Sequence, residues 1–454
     1  MKLENKNVLV AGTGISGIGA TKLLIAVGAE VILYDSNEAL TKEDILRRFD
    51  GPVSGVCIVT GELTAEVINT LDLAVLSPGV PVDAPFVEAI KSRGIRVWGE
   101  IELAYHYARG ILAAITGTNG KTTTTALTGQ IMSAWYNSVF VVGNIGNSYT
   151  DRALETTDES VTVAEISSFQ LETIEDFHPH VSAVLNITPD HLNRHHTMEC
   201  YIHTKKRIFE NQTDQDFVIL NYDDEVTRAM AKDTKAKVIF FSGRHVLSDG
   251  YYFKDGEIIY AHNQQWEHIC YDSDLNILGL HNMENVMAAV AIARCLGVPM
   301  EVIFKVLTEF KAVEHRIEYV STKKGVFYYN DSKGTNPDAA IKAVEAMVRP
   351  TLLIGGGYDK QSEYDEWIES FDGKVRLLVL LGQTADKIEA CARKHGFNEI
   401  LRADSLEAAV KLCADHAHAG DAVLLSPACA SWGMFKNYEE RGRLFKDYVH
   451  QLAD

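Results

Sequence analysis

The chain has 454 residues, 46% hydrophobic and 23% charged. That composition excludes a disordered chain, and at roughly 150 residues per domain the length excludes a single compact unit. Lys and Arg number 43 against 62 Asp and Glu, a formal net charge of −19, which argues against a nonspecific grip on nucleic acid or an anionic membrane. An anionic substrate must then be held by local cations, helix N-termini or metal. The seven cysteines are dispersed with no C-x-x-C pair, as reduced thiols of a cytosolic protein are, and they supply no zinc knuckle or disulfide frame. Met1 to Asn7 is polar and leads into a strand, so no signal peptide is visible, and no apolar run reaches the ~20 residues of a membrane span. The expected localisation is cytoplasmic.

Short apolar runs alternate with helical stretches, the pattern of parallel sheets covered by helices. The first strand is Val8-Leu9-Val10-Ala11, followed by Gly12-Thr13-Gly14-Ile15-Ser16-Gly17, a G-x-G-x-x-G turn. The next strand, Glu30 to Tyr34, ends at Asp35, at the distance of a ribose-binding acid. This pair admits two readings, an NAD-dependent dehydrogenase or a UDP-binding unit, because both nucleotides carry a ribose and a pyrophosphate. A further strand, Leu73 to Leu76, stops at Ser77-Pro78-Gly79, and the first boundary falls near Trp98-Gly99.

Ile111 to Thr116 reads as a strand entering Gly117-Thr118-Asn119-Gly120-Lys121-Thr122-Thr123. Glycines let backbone N–H groups converge on phosphate oxygens at a helix N-terminus, Lys121 reaches the β and γ phosphates, and the Thr122 hydroxyl suits Mg²⁺. The loop is shorter than a strict P-loop, since Ile115 stands where that spacing puts glycine. Glu165, at a strand end, is placed to hold Mg²⁺ opposite this loop. In Asp190-His191-Leu192-Asn193-Arg194-His195-His196, the i, i+4 histidines have metal-ligand spacing, but Leu192 replaces the glutamate of H-E-x-x-H, against a zinc protease. Taken alone, Lys205-Lys206-Arg207 is a solvated helix face. Helices over Met283–Leu296 and Met300–Phe310 close this unit, the first stopped by Gly297 and Pro299.

The third unit starts near Val313, with strands at Thr351–Ile354, Leu377–Leu380 and Ala422–Leu425. Three polar loops follow apolar runs: Asn330 to Asn336, Gly355 to Lys360, and Ser426 to Trp432. Ligands of open α/β sheets bind beyond the carboxyl ends of strands, so three such loops point to one pocket.

The segments Gly117–Thr123, Glu165, Asp190-His191, Lys205, His281-Asn282, His315-Arg316 and Asp331-Ser332-Lys333 resemble, in order and spacing, the Mur ligase family, over essentially the whole chain. Ser77-Pro78-Gly79, Gly143-Asn144-Ile145-Gly146, Gly357-Tyr358-Asp359-Lys360 and Ser426 to Tyr438 resemble the branch that adds D-glutamate. The Asp-Asn-Pro-Arg signature of the diaminopimelate-adding branch is absent. The resemblance implies a three-domain α/β chain: a Rossmann-like UDP-binding domain over 1–99, a central P-loop ATPase-type parallel-sheet domain over 100–312, and a Rossmann-like amino-acid-binding domain over 313–454. It implies ATP-driven formation of an amide between D-glutamate and UDP-N-acetylmuramoyl-L-alanine in peptidoglycan precursor synthesis, by a monomer. Sibling ligases that add another amino acid, folate polyglutamylation enzymes included, remain the nearest alternative.

By matching position, the resemblance assigns the ATP phosphates to Gly117, Thr118, Asn119, Gly120, Lys121, Thr122 and Thr123, and one Mg²⁺ to Thr122 and Glu165. A second Mg²⁺ goes to His191 and to Lys205 as a carbamate, because a free lysine is a cation and no metal ligand, whereas its CO₂ adduct is an oxygen anion. Asn282, Asn285, Arg316 and Asp331 are implied for adenine and ribose. Ile15, Ser16, Asp35, Ser36, Ser77 and Gly79 are implied for the UDP moiety, and Asn144 for the sugar–alanine portion. Lys333, Thr335, Lys360, Ser431 and Tyr438 would surround D-glutamate. Asn37, where an arginine can stand in relatives, removes one possible uridine contact, and Trp432 and Tyr438 occupy positions that vary within the branch.

Overall fold

The computed structural model describes residues 2–144, 147–311 and 313–453, without the Asn193 side chain. Ile145 and Gly146 of the Gly143–Gly146 signature, and the expected boundary at 312, lie outside the described residues. The chain forms two compact units, Met1–Cys270 with Glu284–Val306, and Tyr271–Met283 with Leu307–Asp454. The division therefore does not fall at one point in the sequence.

The first unit holds two sheets. One is built from β1 (Asn7–Ala11), β2 (Glu30–Asp35), β3 (Val56–Thr60), β4 (Leu73–Leu76) and β5 (Arg96–Gly99), all parallel in the order β3-β2-β1-β4-β5. Val8 sits in register between Val31 and Leu73, and β1 and β4 are buried along nearly their whole length, which is why they read as unbroken apolar runs. The order reverses between β1 and β4, so a crevice opens beyond their carboxyl ends, at Gly12 and Ser77.

The second sheet contains β6 (Ile111–Thr116), β7 (Val139–Gly143), β8 (Val161–Glu165), β9 (Val181–Val184), β10 (Phe217–Asn221), β11 (Lys237–Ser242), β12 (Gly250–Lys254), β13 (Glu257–His262) and β14 (Gln265–Tyr271), ordered β14-β13-β12-β11-β10-β9-β6-β8-β7. β6 through β12 pair in parallel, but β12 and β13 are antiparallel. This edge ribbon departs from the expected all-parallel pattern. Its strands follow each other through the tight Asp255-Gly256 turn and need no crossover helix. One continuous apolar core runs from Val8 and Val10 of the first sheet to Val142 and Val184 of the second, and the Trp98 indole donates to Glu175 Oε2 at 2.8 Å across them.

The second unit holds β15 (Glu318–Lys323), β16 (Val326–Asn330), β17 (Thr351–Gly355), β18 (Val375–Leu380), β19 (Ile400–Arg402) and β20 (Ala422–Leu425), ordered β15-β16-β20-β17-β18-β19. β15 and β16 pair antiparallel, the rest in parallel. Since β16, β20 and β17 are neighbours, the three polar loops that follow them emerge side by side.

Candidate active site

In the first sheet, Gly12 takes φ +96° at the end of β1, and a Cβ on Gly17 would overlap the Gly12 carbonyl oxygen. Those two glycines let the helix Ile15–Ala26 start close against the strand, with Gly14 as its N-cap and open space beside Gly14 Cα. Asp35, at the end of the adjacent β2, accepts a hydrogen bond from the Thr13 hydroxyl at 2.6 Å. Arg48 Nη1 donates to the same hydroxyl at 2.7 Å and to the Thr13 carbonyl at 2.9 Å. Ile15 is exposed, Ser16 and Ser77 half-buried, and Ser36 and Gly79 exposed, so all five of these expected contacts are reachable.

The second turn sits at the carboxyl end of β6. Gly117 has φ +153° and Gly120 φ +84°, and Gly120 is the N-cap of the helix Lys121–Ser133. A Cβ on Gly120 would overlap Asn285 Oδ1, which also accepts from the Thr124 hydroxyl at 3.2 Å. Asn285 is thereby fixed against the loop. The segment after β9 clamps the other side: Thr118 N–H donates to Asn186 O at 3.0 Å, Asn119 N–H to Asn186 Oδ1 at 2.8 Å, and the Thr118 hydroxyl to Thr188 O at 3.1 Å. Thr122 and Thr123 are buried in the first helical turn. Lys121 Nζ lies over the loop, 2.9 Å from Gly117 O and 2.8 Å from Thr118 O.

Lys205 is only 2% exposed, on the helix Met198–Lys206. Its Nζ donates to Gly117 O at 2.8 Å and Thr116 Oγ1 at 3.3 Å, and sits 4.9 Å from the Tyr201 ring centre. Burial, joined by the nearby Lys121 ammonium, holds this amine well below the ordinary lysine range, against the smaller upward pull of Asp190 and Glu165. The sequence reading of Lys205-Lys206-Arg207 as a solvated face thus fails at Lys205, while Lys206 points outward to Asp233 at 2.7 Å. Glu165 ends β8, in register with Ile115 of β6, which brings it beside the loop. It is buried and accepts from Asn144 Nδ2 at 3.0 Å.

His191 takes a left-handed φ of +54°, with its exposed ring 4.9 Å from Phe169 and 3.5 Å from Asp190 Oδ2. His195 is a packed residue instead. It is buried, bonded to the Ser168 hydroxyl at 2.9 Å, and pushed down to about 4 by desolvation and then by His191, Lys205 and Arg194. The i, i+4 spacing therefore supplies one accessible imidazole, not two. Among the described residues, the close His, Cys and carboxylate trios lie elsewhere, so a cation at Glu165 needs hydroxyl, modified-lysine or phosphate oxygens to complete its shell.

In the second unit, the loops after β16, β20 and β17 are tied to one another. Asp331 accepts from the Ser426 hydroxyl at 2.7 Å and from Ile317 N–H at 3.3 Å, and burial pushes its carboxyl up to about 7 against the Ser426 hydrogen bond and the Arg316 charge. Gly356 N–H donates to Pro427 O and Tyr358 N–H to Ala430 O, each at 2.9 Å. Arg441 is buried, donating from Nε to Ser332 Oγ at 3.0 Å and from Nη1 to Cys429 O at 3.1 Å. Lys333 lies 5.5 Å from the Tyr438 ring centre and Lys360 5.5 Å from that of Trp432. Ser431 is buried and Thr335 half-buried between them in sequence. Asn282, buried in the same unit, donates to Leu278 O at 2.7 Å, and Arg316 lies half-buried two residues before β15.

Sequence reasoning missed Tyr201, Arg441 and the Thr13–Arg48 pair. Tyr201 had a signal, four residues before Lys205 on one helix face, and Arg441 follows Tyr438 by three. Arg48 is joined to Thr13 only by tertiary structure, which no local spacing encodes.

Comparison with known proteins agrees along the whole length. Residues 6–99 match the MurD-like N-terminal domain of Mur ligases, 115–293 the Mur ligase middle domain, and 315–429 the Mur ligase glutamate ligase domain. A protein of Lachnospira eligens called UDP-N-acetylmuramoylalanine–D-glutamate ligase is 57% identical over 453 residues, covering 100% of both chains. One of the same name from Clostridioides difficile is 46% identical over 453 residues, again covering 100% of both. In fold, the chain is similar to UDP-N-acetylmuramate–alanine ligase MurC of Thermotoga maritima, with TM-score 0.62, 18% identity, and 98% and 99% of the two chains covered. MurF ligase of the same organism, in complex with ADP, gives TM-score 0.60 at 18% identity, covering 99% and 96%.

Proposed function

The chain belongs to the Mur ligase family, and on that premise we propose that it joins D-glutamate to UDP-N-acetylmuramoyl-L-alanine with conversion of ATP to ADP and phosphate. The observation that carries the chemistry is the convergence on Gly117, where a short phosphate-binding turn meets Lys121, a buried Lys205 and, through β8, Glu165. A carboxylate is a poor electrophile. The alanine carboxylate attacks the γ-phosphorus of ATP, giving an acyl phosphate and ADP. The neutral amine of D-glutamate, its proton lost, then adds to the acyl carbon, and the tetrahedral adduct expels phosphate as the amide forms. The protein contributes alignment and charge neutralisation.

Lys121 and the Gly117 to Thr123 turn, with the N-terminus of the helix it caps, hold the phosphates. Asn282, Asn285, Arg316 and Asp331 serve adenine and ribose. The donor set fits magnesium, with Thr122 and Glu165 as oxygen ligands for one ion and His191 with Lys205 for a second, and the metal supplies neutralisation of the phosphoryl oxygens when bound. The depressed proton affinity of Lys205 favours the neutral amine, which adds to CO₂ and releases a proton to become a carbamate. Ile15, Ser16, Asp35, Ser36, Ser77 and Gly79 receive UDP, Asn144 the sugar–alanine portion, and Lys333, Thr335, Lys360, Ser431 and Tyr438 D-glutamate. The domain limits 1–99, 100–312 and 313–454 and a cytoplasmic, monomeric enzyme complete the reading. The full-length relatives described above carry the ligase name, which does not favour the dehydrogenase alternative.

The deciding experiment is phosphate release with each component left out in turn. Release is expected only with ATP, Mg²⁺, the UDP-sugar and D-glutamate together, and release undiminished without D-glutamate overturns the reading. Lys205→Ala should abolish turnover, with partial return on adding small carboxylates.

A further inference from the structure

Arg194 follows His191 by three residues, at the end of the short helix Leu192–His195. Its guanidinium is held on three sides. Nη2 and Nε donate to the two Glu172 carboxylate oxygens at 2.6 and 3.2 Å, and the same Nη2 donates to the Val80 carbonyl at 2.7 Å. Its Cζ lies 5.1 Å from the centre of the Phe169 ring. The Arg194 and Glu172 side chains are 13% and 9% exposed, so the pair is mostly withdrawn from water, where a bidentate charged contact is directional and strong.

What the pair joins is informative. Val80 directly follows Gly79 in the Ser77-Pro78-Gly79 loop beyond β4. Phe169 and Glu172 belong to the segment after β8 that begins at Glu165, and Phe169 also packs against His191. Among the described residues, the Val80 carbonyl is the hydrogen-bond partner that Arg194 finds beyond the first sheet. Glu172 and Phe169 lie beyond a strand of the second sheet.

The geometry points to Arg194 as a positioning residue that fixes the spacing between the UDP-binding loop at Ser77–Gly79 and the phosphoryl-transfer groups at Glu165 and His191. This rests on the function proposed above. The substrate is long, with UDP at one end and the reacting alanine carboxylate at the other, so its reach is set by how far apart these two loops are held. An error of about an ångström in that spacing costs on the order of a hundredfold in rate while either end still binds. Lysine cannot replace the fork, because one ammonium cannot span both Glu172 oxygens and the Val80 carbonyl in a plane.

The test measures binding of each end separately from turnover. Arg194→Met and Arg194→Lys are compared with the unchanged enzyme for UDP affinity, ADP affinity, thermal midpoint and steady-state kinetics. Both variants are expected to keep UDP and ADP affinities within about twofold while kcat falls at least tenfold. Glu172→Gln, which weakens the anchor but leaves the Val80 contact, should fall between. Turnover near the unchanged level in Arg194→Met overturns the inference. So does a parallel loss of UDP affinity, ADP affinity and activity in Arg194→Lys, which would make the residue a general structural support. If the unchanged enzyme itself fails to bind UDP, the proposed function has failed, and this inference with it for a separate, visible reason.

Discussion

The two glycine turns of the first unit share a backbone device and part company in their side chains. Both follow a buried parallel strand, both use left-handed glycines, and both cap a helix with glycine, leaving a helix N-terminus beyond the strand end. Around Gly12–Gly17 the polar groups are Thr13, Asp35 and Arg48. Around Gly117–Thr123 two lysines crowd one carbonyl, with a buried glutamate on the next strand. In the proposed function the first turn only holds a pyrophosphate, for which N–H groups and a ribose acid suffice, whereas the second serves a migrating phosphoryl, which calls for charge fixed in place beforehand. In a chain of net charge −19, the proposed function leaves charge neutralisation at the second turn to Lys121 and the metal ions.

The largest effect expected to separate the turns is that of Lys121→Ala. It should lower kcat by about 10²–10³ or more and leave UDP affinity at Gly12–Gly17 unchanged, as read by phosphate release and by titration with UDP. A loss under tenfold would make the second turn a structural one.

Much of this contrast was legible before any coordinates. Strands over Leu73–Leu76 and Ala422–Leu425 agree with expectation to the residue, because fully buried parallel strands announce themselves as short apolar runs between turn residues. The glycine turns were legible because their chemistry is local. The antiparallel edge β12–β14 was not, since Gly250–Tyr271 mixes aromatics such as Tyr251, Tyr260 and Trp266 with charged residues and carries no motif. Nor was the burial of Lys205, which depends on the loop three strands away in sequence order. His195 shows the opposite failure, a suggestive spacing emptied by packing against Ser168.

An intermediate effect tests the first turn. Asp35→Asn should raise the KM for the UDP-sugar about tenfold, equivalent to ~1.4 kcal/mol, with the KM for ATP unchanged. Equal changes in both would erase the division of labour between the turns.

The smallest effect lies in the second unit, outside either turn. Asp331 has its carboxyl raised to about 7, so the folded state binds its proton more tightly than the unfolded chain. Its contribution to stability is therefore full below the ordinary carboxylate range and is lost as pH rises through about 7. Asp331→Asn should leave the thermal midpoint near the unchanged value at pH 4 and exceed it by a few degrees at pH 8. A gain of the same size at both pH values would show that the carboxyl is not what titrates.

Arg441 has a consequence for how the protein comes into being. Its guanidinium closes onto Ser332, 109 residues earlier, and β16 pairs with β20 across nearly as long a stretch. On the ribosome, the early strands of this unit must wait for their partners while the first unit already has nearly all of its own. The loops assigned to the amino acid are thus the last part of the molecule to take shape during synthesis.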